Sequence, residues 1–329
     1  MLNPKISIIT VCFNASQTIP STIDSILLQD YTNAEHIIVD GKSSDDTLAL
    51  IHLKEKDYNL KGYTLKVISQ SDKGIYDAMN KGIKLASGEI IGFLNADDFY
   101  ANSGVLSLIA WGFSKPTKPS IVYADICYVS KNGKVARTML GESQKRANFA
   151  LGFHPPHPSF YAKRELFSSY GEFDLRYSIS ADYDLMLRFL YKYKCESLYI
   201  DEIFVKMNLG GVSNKSVKNI LKANLQCLQS ARENGIRFSL LAIVCKVLSK
   251  LKSINYKLLV KSPPPQRVSR DAYLDSVIFI EFIESKFFIP SQAFLKPSFY
   301  EPFCRASFCS LPHTSEDLYF IEDSSLEAA

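Results

Sequence analysis

Four carboxylates follow short apolar or β-branched runs: Asp40 after HIIV, Asp72 after VISQS, and the neighbours Asp97 and Asp98 after IIGFLNA. In a parallel α/β sheet the carboxyl ends of the strands border the ligand crevice, so the residues just past each strand are the first candidates for chemistry. Acids gathered there repel one another unless a cation or hydrogen-bond donors resolve them. Hard oxygen ligands suit Mg²⁺ or Mn²⁺ carrying a phosphate-bearing substrate. Asp40 and Asp72 would serve equally well as Asx turns or helix caps. For Asp97 and Asp98 a purely structural reading is weaker, since adjacent acids after a buried strand repel without compensation. A metal on Asp98 would bridge two phosphate oxygens and offset the charge on a departing diphosphate.

A fifth acid, Asp182, opens the segment ADYDLMLRF. A first-turn acid is a common helix cap, but a carboxylate that faces a metal site without ligating it is also what a general base requires. The run HPPHP supplies His154 and His157. Its prolines make it extended and no third ligand shows metal spacing, so His157 reads as an acceptor-site or pyrophosphate contact, or as a satisfied structural histidine. No GxGxxG follows the first strand and no GxxxxGK[ST] occurs, which removes the nicotinamide and P-loop readings.

The elements that must hold these residues alternate. Residues 6–12 (ISIITVC) read as a buried strand, followed by a polar turn at 13–16 and a helix opening near Pro20 that places Ile19, Ile23, Ile26 and Leu27 on one face. Strand 36–40, helix 47–54, strand 65–69, helix 74–85 and strand 90–94 continue the pattern, which predicts a doubly wound α/β sheet. Segments 121–128, 131–140 and 159–162 look like strands without a helix between each pair, so a mixed sheet is expected there. Helices are expected again at 181–193 and 216–233.

The chain has 329 residues, 47% of them hydrophobic and 12% aromatic, enough to bury a large core. No run of about 18 uncharged apolar residues occurs and no cleavage site follows the N-terminus, so the expectation is a cytoplasmic protein. Its seven cysteines are scattered singly, which gives neither a disulfide framework nor a zinc site. The net charge of +4 is unevenly spread. Residues 206–261 carry an excess of about ten positive charges and the tail after Ser262 an excess of about five negative ones, which leaves the first 205 residues close to neutral. Within 238–261, Lys246, Lys250, Lys257 and Lys261 share one helical face and Leu240, Val244, Val247, Leu251 and Leu258 lie roughly opposite. That is the signature of a helix on an anionic membrane surface, or of one packed on the protein with solvated lysines. Nucleic-acid binding is not supported, because the charge sits on a helix with an apolar face and no stacking aromatics accompany it.

Together, ISIITVCFN, HIIVDGKSSDDT, SDKGIYDAMNKGIKLASGEIIGFLNADDFY, HPSF, SADYDLMLR and MNLGGVS resemble the family 2 glycosyltransferases with a GT-A fold, of the bacterial polysaccharide, O-antigen and colanic-acid type. The resemblance spans about residues 3–235, with its most specific stretch at 74–100. It implies that Asp98 binds the divalent cation and Asp97 the donor ribose or the metal, with Asn95 where many relatives carry another Asp. It also implies that Asn14 and Asp40 lie beside the nucleotide base, Asp72, Asp77 and Asn80 lie near the donor sugar and diphosphate, and Asp182 is the catalytic base. Ala181 replaces the Glu that usually precedes that base. Residues 210–213 (GGVS) resemble the loop that closes over the nucleotide.

The expected organisation is a catalytic domain at 1–235, a basic amphipathic helix at 236–261 and an appendage at 262–329. The expected activity is inverting, metal-dependent transfer from a nucleotide-sugar, a UDP-sugar by preference, to a saccharide or lipid-linked oligosaccharide. Two alternatives stay open. One is a sugar nucleotidyltransferase of related fold, although VCFNAS lacks the basic Gly-rich loop it would need; the other is a non-catalytic sugar or lipid-carrier binding protein.

Overall fold

The computed structural model describes residues 3–130, 132–141, 149, 154–208 and 217–236. The GGVS segment, the basic stretch 238–261 and the tail 262–329 lie outside the described residues. Strands β1 (Ile6–Cys12) and β2 (Ala34–Asp40) are buried along their whole length, as strands covered on both faces must be. β1 pairs in parallel with β2 and with β4 (Ile90–Phe93), and β2 pairs in parallel with β3 (Thr64–Ser69).

Strand alternation divides the core. Ile6 and Ile8 join the face packed with Ile19, Ile23 and Ile26 of α1 (Ile19–Leu27), with Ile51 of α2 (Thr47–Leu53) and with Tyr58 of α3 (Glu55–Lys61). Ile9 and Val11 join the opposite face, with Ala78, Met79 and Ile83 of α4 (Ile75–Leu85). Gly82 allows α4 to press onto the sheet, because a Cβ there would lie 2.4 Å from Cγ2 of Ile9.

Beyond β4 the sheet is mixed. β4 pairs antiparallel with β8 (Tyr161–Lys163), and β8 pairs antiparallel with β6 (Ile121–Val129). β6 runs parallel to β9 (Ser197–Asn208), and β5 (Asp98–Tyr100) pairs antiparallel with β9 at the edge. The order is β3-β2-β1-β4-β8-β6-β9-β5, with β7 (Val135–Met139) paired to β6 off this path. The remaining helices are α5 (Val105–Phe113), α6 (Arg164–Tyr170), α7 (Ala181–Leu187) and α8 (Val217–Glu233).

Two expected helices are divided. The stretch read as one helix over 47–54 continues past Lys54 as α3, which ends at Gly62 in a left-handed conformation (φ 77°). The stretch read as helix 181–193 loosens after Leu187 into a π turn, Arg188–Lys192.

At the amino ends of the strands Glu35 is buried, which on its own would raise its pKa. Hydrogen bonds from the Ser7 hydroxyl, the Ser87 N–H and hydroxyl, and Lys66 outweigh burial and hold it at about 2. That fully satisfied acid is structural. Among the described residues no helix is long and apolar enough to cross a membrane.

Candidate active site

The carboxyl ends of β1 to β4 carry the segments 13–14, 41–44, 70–72 and 94–98, which places the sequence-selected acids at one edge of the parallel half-sheet. Their side chains are not equivalent. Asp40 is buried, and its carboxylate accepts hydrogen bonds from Ser43 N–H (3.0 Å), the Ser43 hydroxyl, the Ser69 hydroxyl (2.6 Å) and, at 3.7 Å, the Cys12 thiol. These bonds fix the turn at the carboxyl end of β2. Asn14 sits at φ 48°, a conformation Asn tolerates, and its Oδ1 accepts Ser44 N–H at 2.9 Å.

The residue before it was missed. Phe13 is 65% exposed, and its ring lies close to Gly41, where a Cβ would come within 3.4 Å of Phe13 Cδ2 and 2.7 Å of Asp72 Oδ2. Gly41 therefore brings an exposed aromatic ring and a half-buried carboxylate to one spot. Such an aromatic on a polar turn was the available sequence signal, since an unburied Phe costs apolar surface.

Asp72 also accepts Gly74 N–H at 2.8 Å and shapes the entry to α4. Asp77 reaches back to Lys73 N–H (3.0 Å) and pairs with Lys81 (3.2 Å). The Lys73 N–H first, then Lys81, hold its pKa below the usual carboxylate range. Asn80 donates to Phe173 O and accepts Phe173 N–H. Asp77 thus caps the first turn of α4, and Asn80 clamps two chain segments together.

In the turn leading into β5, Asp97 is exposed while Asp98 is 1% exposed. Burial first, and then the charge of Asp97, push the Asp98 carboxyl well above its ordinary pKa. The Thr22 hydroxyl donates to Asp98 O at 2.7 Å and fixes the turn from α1. The accessible carboxylate is Asp97, and Asp98 lies beneath it with its Oδ1 unpaired.

Among the described residues, the buried side-chain atoms without a hydrogen-bond partner are Asn95 Oδ1, Asp98 Oδ1 and His157 Nε2. Two of the three are oxygens in this turn. An exposed carboxylate above unpaired oxygens fits a hard divalent cation. No trio of His, Cys, Asp or Glu among the described residues could hold a metal by itself, so the turn fits a shared site in which substrate oxygens complete the shell.

Asp182, half-buried in the first turn of α7, is met from α4 by the Tyr76 hydroxyl at 3.0 Å. His157 stacks on Phe93 at the end of β4 (5.3 Å between centroids) and meets Phe173 edge-on (5.6 Å). Burial lowers its pKa, only partly opposed by the charge of Asp182, so its ring is neutral. α4 thus joins both halves of the site, through Asn80 to the 173 loop and through Tyr76 to Asp182.

Fold and site together define an α/β transferase of the GT-A kind. Residues 7–164 match the description "Glycosyl transferase family 2". A PGL/p-HBAD biosynthesis glycosyltransferase of Mycobacterium bovis is 30% identical over 245 residues, covering 74% of this chain and 91% of its own. The amylovoran biosynthesis glycosyltransferase AmsB of Erwinia amylovora is 31% identical over 198 residues, 57% of this chain and 64% of that one. Among solved structures, S. aureus TarS 1-349 in complex with UDP-GlcNAc aligns with a TM-score of 0.53 at 16% identity, covering 78% of this chain and 76% of that one. The chain spans 46% of the longer TarS structure. The mannosyltransferase PcManGT of Pyrobaculum calidifontis, in complex with GDP-Man and Mn2+, aligns with a TM-score of 0.54 at 14% identity, covering 85% and 81%. The chain belongs to glycosyl transferase family 2. It is a glycosyltransferase.

Proposed function

We propose that this enzyme moves a sugar from a nucleotide-sugar, specifically a UDP-sugar, to a hydroxyl of a lipid-linked saccharide during assembly of a bacterial cell-surface polysaccharide, with inversion at the anomeric carbon. The observation that carries the reading is the separation of two carboxylates. Asp97 stands exposed in a turn over unpaired oxygens, while Asp182 lies on α7, met by the Tyr76 hydroxyl. One suits the diphosphate end of a donor and the other a general base.

In this reading Asp182 takes the proton of the acceptor hydroxyl as its oxygen attacks the anomeric carbon. The bond from that carbon to the diphosphate oxygen breaks, and a single displacement inverts the centre. Asp97, with Asn95 and Asp98 behind it, would hold Mg²⁺ or Mn²⁺, which when bound supplies positive charge against the leaving diphosphate. Phe13 offers its ring to the base, and Asn14 and Asp72 border the same turn. His157 keeps an apolar wall of Phe93 and Phe173 in place behind the acceptor side.

The lipid-linked acceptor is supported by what the relatives' names describe, the biosynthesis of PGL/p-HBAD and of amylovoran, and by the basic amphipathic stretch 238–261. The proposed organisation is a catalytic domain at 1–235, a helix at 236–261 that docks on the anionic inner face of the plasma membrane, and a segment of unassigned role at 262–329.

The test is donor turnover. The full chain is offered UDP-, GDP- and dTDP-sugars with Mn²⁺ or Mg²⁺, and released nucleotide diphosphate is measured with and without EDTA. Metal-dependent release from a UDP-sugar, lost in Asp182→Asn, is expected. Release that survives both EDTA and Asp182→Asn would sink the mechanism.

A further inference from the structure

The Tyr76 hydroxyl lies between two acceptors, 2.8 Å from Ile179 O and 3.0 Å from Asp182 Oδ1. A phenol carries one proton and can donate to only one of them at a time. The phenol is buried, packed against Phe173 with ring centroids 5.4 Å apart, and the Asp182 N–H faces its oxygen. Its position is fixed by α4, but its proton is free to turn.

We propose that Tyr76 is a positioning residue for the general base, switching its hydroxyl proton between Asp182 and Ile179 O as Asp182 loses and gains the acceptor's proton. The proposal rests on the reading of Asp182 as that base. With Asp182 ionised, the phenol donates to Oδ1. When the acceptor hydroxyl gives up its proton, that proton bonds to the Asp182 carboxyl, and Oδ1–H now donates to the phenol oxygen. The phenol proton then swings to Ile179 O. In both states the carboxyl keeps a hydrogen bond along the same line, so it need not rotate between taking the proton and releasing it to water. The phenol keeps its own proton throughout, since burial, reinforced by the Asp182 charge, pushes its pKa well up.

Among the described residues, the titratable groups facing this pair are His157, from the short 3-10 turn His157–Ser159, and Cys227, from α8. Asp184, on the same helix as the base, turns instead to Arg188 and Ser230.

The test compares Tyr76→Phe with the parent enzyme, using the full chain, Mn²⁺, a UDP-sugar and water as acceptor, and following UDP release across pH. Removing the hydroxyl takes a charge-assisted bond from the ionised carboxyl. The expected result is a kcat lowered about tenfold, an unchanged donor KM, and an acidic limb moved up by about one pH unit. A second measurement needs no turnover: UDP binding in the presence of Mn²⁺ should be the same in Tyr76→Phe as in the parent, which shows that the site stays assembled. If Asp182→Asn abolishes release while Tyr76→Phe leaves the acidic limb where it is, the switch is overturned and Asp182 stands as the base. If Asp182→Asn keeps its activity, the base reading fails first and the switch with it.

Discussion

Asn80 and Phe173, 93 residues apart in the chain, exchange two hydrogen bonds: Asn80 Nδ2 donates to Phe173 O at 2.9 Å and Phe173 N–H donates to Asn80 Oδ1 at 3.0 Å. A carboxamide is the side chain that can answer a backbone N–H and C=O together, as a neighbouring strand would. This joint ties α4 to the loop that leads into Asp182. Asn80→Ala leaves both backbone groups of Phe173 without partners and is expected to cost about 2 kcal/mol in urea unfolding. Turnover should fall more than donor affinity, because what loosens is the loop before the base. Asn80→Asp should not rescue it, since a carboxylate turned toward a carbonyl oxygen repels. An unfolding midpoint equal to the parent's in Asn80→Ala would refute this.

Asp97 and Asp98 should both be needed. Asp98 is buried with its Oδ1 unpaired, and burial pushes its carboxyl up in the metal-free chain, a cost that a bound cation would offset. Asp98→Asn is expected to fold and, like Asp97→Asn, to lower turnover by about a hundredfold, with a higher metal requirement. The check is UDP release against Mn²⁺ concentration for both variants. An Asp98→Asn enzyme that keeps turnover within about tenfold of the parent would leave the metal to Asp97.

Arg188 closes the far side of α7, the helix that carries Asp182. Its guanidinium donates to Asp184 at 2.8 Å, to Gly171 O at 3.0 Å, to Glu172 O at 2.7 Å and to Tyr170 O, while Asp184 also accepts the Ser230 hydroxyl of α8 at 2.6 Å. Arg188→Met would leave Asp184 buried without its cation and three carbonyls without a donor. A loss of about 3 kcal/mol follows from breaking one side of such a pair. Thermal denaturation of the variant measures it, and a stability within about 0.5 kcal/mol of the parent would show that solvent replaces the guanidinium.

The parallel half of this fold was legible because its signal is local. Runs such as ISIITVC and IIGF are buried on both faces, and each is followed by a turn and an amphipathic helix. β5 was illegible for the opposite reason: three residues, the first of them an acid read as chemistry, form a strand only because β9 supplies the partner. β9 itself, with SLYIDEIFVKMN, mixes charged and apolar residues, and its pairing to β6 is set at long range. At the site, sequence located the turns but not the hydrogen bonds that their side chains make. Asp40, Asp77, Asn80 and Asp98 are polar residues beside a crevice, and so are the residues that build its walls. The difference lies in where their hydrogen bonds go, and partners such as Ser69 for Asp40 or Phe173 for Asn80 come from other elements.

The buried histidine of β2 gives a prediction for acid. Thr10 donates its hydroxyl to Leu94 O at 2.7 Å, so it must accept from His36 Nε2–H at 2.8 Å, which leaves His36 Nδ1 to accept from the Tyr58 hydroxyl at 2.5 Å. His36 is therefore neutral, with its proton on Nε2, and this chain of bonds runs from α3 through the sheet to the residue before Asn95. Burial lowers its pKa from an ordinary 6.5 to about 3. Between those values the unfolded chain binds a proton that the folded chain refuses, so stability is full above about pH 6.5 and falls as pH drops, by about 1.4 kcal/mol per unit. His157, also lowered by burial, acts in the same direction, Asp98, raised by burial, acts in the opposite one, and Glu35 begins to contribute only below about pH 4.5, its unfolded value. Removing the His36 contribution isolates it: in His36→Gln, which keeps a polar side chain that does not titrate, urea midpoints measured between pH 7.5 and 5 should lose less stability toward acid than the parent's. A variant whose midpoint follows pH as the parent's does would mean that His36 takes up its proton without opening the sheet.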